Sequence, residues 1–242
     1  MDMLKKTFDR AKQTVEEHFG DAAYTEYDAE FQAQLNRADD IRTFVEKSLS
    51  AVECYMQPDP AIRLLPGLTQ EGQNKPEVIA AQMGQFAQSV GGWVGKVNVN
   101  ANTLIGSLKQ AEDTYVQLGK YERQYLAAAT DSYVSPVKRF LNEALKALDK
   151  ERQELKARRL DMDSLKNKLK NKQPEQYPQL VAEKDKAEQV FNEQKAKVSQ
   201  MISAVESALP EHLKQLRQLT DTQISFMKKS QKALEDLSKK LA

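Results

Sequence analysis

The sequence has few of the residues that build metal and catalytic sites. It contains one cysteine, Cys54, and two histidines, His18 and His212, and neither histidine has a metal-like spacing to other ligands. A structural zinc site needs about four cysteine or histidine ligands, so none is expected. A single thiol cannot form a disulfide within the chain, which favours a reducing compartment. We find no nucleophile paired with a base, and we therefore predict that the protein is not an enzyme and binds no cofactor or metal.

Long apolar runs are missing as well. No stretch reaches the length of about 18 apolar residues that a membrane-spanning helix requires, and no apolar segment with a cleavage site indicates secretion. Glycine and proline are scarce, with 9 and 8 copies in 242 residues, whereas 29% of the residues are charged. This composition is typical of long helices and coiled coils. We expect a mostly helical protein of the cytoplasm.

Apolar residues recur at alternating steps of three and four in three long segments, which is the pattern of packed amphipathic helices. The segments predict helix one at 21–57, helix two at 101–172 and helix three at 177–241. Pro136 and Pro210 lie inside helices two and three and predict kinks, because the period resumes beyond each proline. A short reversal joins helices two and three. The sequence therefore predicts an all-α, elongated, antiparallel three-helix coiled coil with kinked long helices.

Residues 58–100 interrupt this pattern with prolines and glycines. Long connections of this kind are commonly functional or mobile. Two short amphipathic pieces lie within the interval, at 61–68 and 77–90. We predict an insert or loop between helices one and two.

Residues 1–20 form a separate amphipathic unit. Its apolar residues share one helical face, which we call the apolar stripe: Leu4, Phe8, Ala11, Val15 and Phe19. Lysines and an arginine surround the stripe. A basic amphipathic helix of this size can lie in the headgroup plane of a membrane. It can equally be a terminal helix that docks its apolar stripe onto the bundle, and the sequence leaves both alternatives open.

Positive charge is concentrated near the end of helix two. The basic cluster consists of Lys156, Arg158, Arg159, Lys166, Lys168, Lys170 and Lys172. Two acids, Asp161 and Asp163, lie among these bases, while the whole chain has a net charge of only +1. A helix with such a cluster is suited to an anionic surface, although a solvated face is the ordinary alternative. The near-neutral total and the lack of a recognition motif disfavour nucleic acid.

Several segments resemble the N-BAR domain of the endophilin family, in the right order along the chain. Residues 4–20 are similar to its N-terminal amphipathic helix, 55–64 to the end of its first helix, and 158–172 to its helix-two signature. Residues 74–84 and 133–141 look more like the B-type endophilins. The resemblance implies a BAR domain over 21–242 that forms a crescent-shaped homodimer, with the lysines from Lys166 to Lys172 at each tip.

The resemblance also implies a function. We expect a peripheral membrane protein that senses and generates curvature in membrane trafficking, and that binds anionic phospholipid through the basic cluster on its concave face and tips. Residues expected to insert into the membrane are Leu4, Phe8, Val15, Leu64 and Leu65. Endophilins contact further protein partners through a Src-homology-3 domain, which this sequence does not contain. The alternative is a rigid coiled-coil tether or cytoskeletal adaptor that does not bend membranes.

Overall fold

The computed structural model describes residues 7, 10–15, 24–57, 74–93 and 100–241. Every regular element among them is helical, which confirms the all-α fold class. Residues 10–15 are helical, and the later α-helices are α1 (Ala29–Met56), α2 (Lys75–Gly91), α3 (Ala101–Ala129), α4 (Ser135–Phe140), α5 (Lys146–Leu169), α6 (Pro178–Ser207) and α7 (Leu209–Leu241). The chain forms two compact units. The first comprises Met1–Glu46 and Arg139–Pro210, and the second comprises Lys47–Lys138 and Glu211–Ala242.

Helix α1 begins at Ala29, whereas the periodicity placed the start of helix one at residue 21. The reason is local capping. The side chain of Asp28 accepts a hydrogen bond of 2.8 Å from the backbone N–H of Phe31, and its backbone carbonyl accepts one of 2.9 Å from Gln32. Aspartate is among the residues that helix N-caps prefer. Residues 24–28 therefore lead into α1 without regular secondary structure.

The kinks predicted at Pro136 and Pro210 coincide with departures from regular α-helix. Two π-helical turns, Thr130–Val134 and Leu141–Leu145, flank α4, which contains Pro136. Proline has no N–H and its ring crowds the carbonyl four residues earlier, so a widened turn before it relieves the clash. Pro210 lies in the first turn of α7, where proline is tolerated, and α6 ends before it at Ser207.

The core of the first unit packs α1 against α5 and α6. Leu155, Val198 and Ile202 are at most 1% exposed. Ion pairs connect the same helices: Arg42 contacts Asp149 at 2.7 Å, and Arg37 contacts Glu206 at 2.7 Å. Arg152 forms a bidentate pair with Asp39 at 2.5 and 3.1 Å, and this hydrogen bonding lowers the pKa of the Asp39 carboxyl. Apolar burial and these pairs together fix the position of α5.

In the second unit, α2 packs on α3. This helix occupies part of the interval that the sequence assigned to an insert at 58–100, and it extends the short amphipathic piece at 77–90. Its buried residues are small, apart from Val90: Ala80, Gly84, Ala87 and Val90. Asn74 begins α2 with a reciprocal capping box to Glu77 and donates a 2.9 Å hydrogen bond to the carbonyl of Gly119 on α3.

Replacing Gly119 with alanine should loosen this contact. A Cβ at Gly119 would lie 2.6 Å from Cγ of Glu77 and 2.7 Å from Oδ1 of Asn74. Glu77 cannot easily move away, because its carboxylate is held by Arg123 at 2.5 and 3.0 Å. We expect Gly119→Ala to lower the free energy of unfolding by about 1–3 kcal/mol, measured by urea denaturation.

Gly84→Ala is the matched control. The three atoms nearest to the added Cβ would all belong to the carboxylate of Glu112, which is the flexible tip of a side chain and can move aside. Alanine also favours helix over glycine by about 1 kcal/mol. The control should therefore be neutral or stabilising. Equal destabilisation by the two substitutions would show that the clash with Asn74 and Glu77 is not what makes Gly119→Ala destabilising.

Candidate functional site

Polar contacts hold residues 10–15 on α5. The guanidinium of Arg10 donates two hydrogen bonds of 2.7 Å to the two carboxylate oxygens of Asp161. The side-chain amide of Asn167 donates a 2.8 Å hydrogen bond to Oε1 of Gln13, which is 1% exposed. The hydrogen bonds to Asp161 raise the pKa of Arg10, so its guanidinium stays charged. We call the two pairs, Arg10–Asp161 and Gln13–Asn167, the polar clasp.

A second contact lies two residues further along α5, at Asp163. This carboxylate is fully buried, and it accepts a 3.1 Å hydrogen bond from the backbone N–H of Thr25 and another from the Thr25 hydroxyl. The ammonium of Lys166 donates to the same hydroxyl at 3.2 Å. A buried charge is tolerated only when it is paired and hydrogen-bonded. Asp163 therefore holds Thr25, which lies just before α1, against α5.

Three members of the basic cluster, Arg158, Arg159 and Lys166, are partly or fully buried and contact neighbouring side chains. Arg159 is 5% exposed, and its guanidinium lies 4.0 Å from the centre of the Tyr24 ring. Arg158 forms an ion pair of 2.5 Å with Glu154 on the same helix. Lys166 bonds to Thr25. The cluster is therefore not one uniform surface, because part of its charge is used to hold neighbouring side chains.

The remaining four members are exposed. Lys168, Lys170 and Lys172 lie together at the end of α5 and in the turn that follows, and we call these three the basic end. The ammonium of Lys172 lies 4.7 Å from the centre of the Tyr177 ring. Lys156 lies earlier on α5, where it lines an open groove of about 420 Å³. The basic end is thus the part of the cluster that is most available to an external anion.

The apolar stripe faces away from the protein in its described part. Ala11 is exposed and Val15 is 55% exposed, whereas Gln13 on the opposite edge is buried. Residues 10–15 therefore dock by a polar edge and not by the stripe, unlike the second alternative left open by the sequence. Four predicted membrane-inserting residues lie outside the described residues: Leu4, Phe8, Leu64 and Leu65.

Sequence reasoning missed the acids of this region. Asp161 and Asp163 entered the sequence argument only as charges that reduce the basic excess, but each binds a residue near the N-terminus. Asn167 was not singled out at all. One signal was present in the sequence, since two acids in a run of seven bases need a specific reason to be there. Their partners are more than 130 residues away, so periodicity could not identify them.

No helix in the described ranges has both the length and the apolar character to cross a membrane. The same ranges hold no group of three or more histidine, cysteine or acidic residues placed to bind a metal ion. What the fold and site define is a helical bundle that presents exposed bases at the end of α5, with Ala11 and Val15 exposed on the segment that the same helix holds.

Comparison with known proteins assigns this bundle to a family. A family model described as the BAR domain matches residues 4–242, and the chain belongs to the BAR domain family. BAR domains are scaffolds, so this membership also confirms the prediction that the chain is not an enzyme.

Curated relatives confirm the resemblance to B-type endophilins. Endophilin-B2 of Homo sapiens is 36% identical over 170 residues, which cover 67% of this chain and 41% of that protein. Endophilin-B2 of Bos taurus is 29% identical, over 97% of this chain and 67% of that protein. Endophilin-B1 of Gallus gallus is 25% identical, over 96% of this chain and 63% of that protein. The chain spans about two fifths of the length of the human relative.

Proposed function

We propose that this chain is a scaffold that binds anionic membranes, and senses or imposes their curvature in membrane trafficking. The observation that carries the proposal is the basic end, where Lys168, Lys170 and Lys172 are all exposed. Lysines next to a membrane are attracted to its anionic lipids, each by about 1 kcal/mol. Membership of the BAR domain family supports the same function. The protein acts as a peripheral membrane protein at a cytoplasmic membrane surface.

Bending lipid requires a rigid template, and a homodimer supplies one. In the second unit, α7 leaves an apolar row exposed at helical spacing: Leu213, Leu216, Ile224, Met227, Leu234 and Leu241. Exposed apolar rows of this length are typical of interaction sites, and steps of three and four suit a helix from a second copy. The proposed crescent is a homodimer in which the partner covers this row.

The apolar stripe is the proposed wedge. Once the basic end has attracted the lipid, Leu4, Phe8 and Val15 insert between the headgroups and enlarge one leaflet. Leu64 and Leu65 form the proposed second wedge. In this proposal the lysines provide most of the affinity for the membrane, and the apolar side chains deform it.

Substitutions at two adjacent residues, Val15 and Thr14, distinguish membrane deformation from membrane binding. Val15→Glu should reduce the fraction of phosphatidylserine vesicles converted to tubules by about threefold or more, while sedimentation with the vesicles changes much less. Thr14→Glu adds the same charge at an exposed position beside the stripe, and it should leave tubulation nearly unchanged. Phe8→Glu should behave like Val15→Glu. Equal loss of binding and tubulation in both Val15→Glu and Thr14→Glu would contradict the wedge assignment.

A tether or cytoskeletal adaptor is the rival function. Its charges would only keep the protein in solution, so any association with lipid would not depend on salt. Electrostatic binding should weaken strongly as the Debye length falls from about 10 Å at 0.1 M salt to about 3 Å at 1 M. Sedimentation with phosphatidylserine vesicles at these two salt concentrations separates the functions: loss of binding at high salt supports the scaffold, and unchanged binding supports the tether.

A further inference from the structure

The polar clasp orients the N-terminal segment in a definite way. Arg10 and Gln13 face α5, and the described members of the apolar stripe, Ala11 and Val15, face outward. A helix that merely adhered to the bundle would bury its apolar side, because burying apolar surface is the main driving force for docking. Residues 10–15 do the opposite, because their apolar side is exposed and a polar side is buried.

The clasp has the chemistry of a specific contact. The bidentate Arg10–Asp161 pair fixes direction as well as distance, since both guanidinium–carboxylate bonds must be in line. Its side chains are only partly exposed, Arg10 at 30% and Asp161 at 19%. The Gln13 amide is almost fully buried, and a buried amide needs a partner such as Asn167. Two independent polar pairs therefore hold one short helix in one orientation.

The clasp also sets which surface the stripe accompanies. Asn167 immediately precedes Lys168 on α5, and Asp161 lies less than two turns before it. The segment that carries Ala11 and Val15 is thus held on α5 within a few residues of the basic end. Lipid attracted by the basic end meets an apolar face that is already ordered and close by, so little ordering entropy remains to be lost on insertion.

We propose that Asp161 and Asn167 are positioning residues for the wedge: through Arg10 and Gln13 they hold residues 10–15 on α5 with Ala11 and Val15 outward, near the basic end and available to an anionic lipid surface. This inference rests on the membrane function proposed above, and it adds the residues that position the wedge. The clasp presents the helix and does not hide it. Breaking the clasp should therefore weaken deformation of the membrane.

Charge reversal within the Arg10–Asp161 pair provides the test. Arg10→Asp and Asp161→Arg each place two like charges face to face, and the double variant Arg10→Asp/Asp161→Arg restores an opposite pair. Without lipid, we expect hydrogen exchange of the amides in residues 10–15 to become about tenfold faster in each single variant and to return toward the wild-type rate in the double variant. Circular dichroism on all three variants checks that the bundle remains folded.

The same variants are then tested on phosphatidylserine vesicles. The two single variants change the net charge in opposite directions, so simple attraction to the membrane would make Arg10→Asp weaker and Asp161→Arg stronger. A positioning role predicts instead that both lose tubulation, by about threefold, at matched bound protein, and that the double variant recovers it.

Several results would overturn the inference. More tubules from both single variants would mean that the clasp hides the helix. Unchanged amide exchange would mean that the clasp does not hold residues 10–15. Opposite effects of the two single variants would leave only net charge as the cause. Faster exchange with tubulation unaffected would reduce Asp161 to a local structural role. If exchange responds as expected but the wild type forms no tubules, the membrane function itself fails, and the inference fails with it.

Discussion

Changing Lys168, Lys170 and Lys172 to glutamate is expected to weaken binding to phosphatidylserine vesicles by about a hundredfold or more. Each base near an anionic leaflet contributes about 1 kcal/mol, and about 1.4 kcal/mol corresponds to a tenfold change in affinity. Reversal removes three attractions and adds three repulsions, so a hundredfold is the lower end of the expected range. Sedimentation over a series of lipid concentrations measures the effect.

Lys166 is left out of this variant for a structural reason. Its ammonium bonds to Thr25, which in turn bonds to the buried Asp163. A glutamate at position 166 would place a second carboxylate beside Asp163 and disturb the fold. Lys47→Glu/Lys109→Glu/Lys120→Glu is the control, because it changes the net charge equally at three exposed lysines outside the cluster. Equal loss of binding in both triple variants would show that overall charge, and not the basic end, determines affinity.

Removing the Asp163 carboxylate is expected to cost about 2–3 kcal/mol of unfolding free energy. Asp163→Ala deletes the carboxylate that accepts two hydrogen bonds from Thr25. The backbone amide of Thr25 then has lost its acceptor in a partly buried place. Hydrogen bonds to a charged group contribute about 1.5–3 kcal/mol each, and loss of a buried charge offsets part of that sum. Residues 24–28 should also show faster amide exchange, because Asp163 holds them on α5.

Urea denaturation at one fixed protein concentration measures this cost, since the apparent stability of a dimer depends on concentration. Asp221→Ala is the matched control. Asp221 is 68% exposed and lies 4.0 Å from Arg217 on the same helix, so its removal should change stability by less than about 0.5 kcal/mol. If Asp163→Ala is no more destabilising than Asp221→Ala, the buried carboxylate does not anchor the N-terminal segment.

Much of the fold could be predicted from local signals. Steps of three and four between apolar residues mark surfaces that pack, and they located the long helices without any knowledge of their partners. Pro136 and Pro210 act through the missing N–H and the ring of the residue itself, so their effects are also local. The start of α1 was harder, because Asp28 stops the helix by a capping bond that apolar periodicity does not register.

Helix α2 shows a different limit of prediction from sequence. Its interval is rich in glycine and proline, which lowered the expectation of a full helix. Gly84, a glycine of this interval, lies buried inside α2 where that helix packs on α3, so it belongs to a packed helix and does not mark a flexible loop. Composition alone cannot separate these uses, because the distinction depends on a partner helix about 35 residues along the chain.

The candidate site was predictable as a concentration of charge but not in its internal division. Seven bases on one helix identify a basic region. Which of them remain exposed depends on Tyr24, Thr25 and Glu154, and the first two are far away in sequence. Arg159 illustrates the point, because its burial under Tyr24 follows from the route of residues 24–28 across α5.

The most direct test of the scaffold function is electron microscopy of phosphatidylserine-rich vesicles incubated with the wild-type protein at low salt. The bound protein is quantified by sedimentation of the same samples. We predict narrow tubules of uniform width that are absent at 1 M salt, where the Debye length is about 3 Å. Vesicles that stay spherical while saturated with folded protein would contradict the claim that this chain bends membranes.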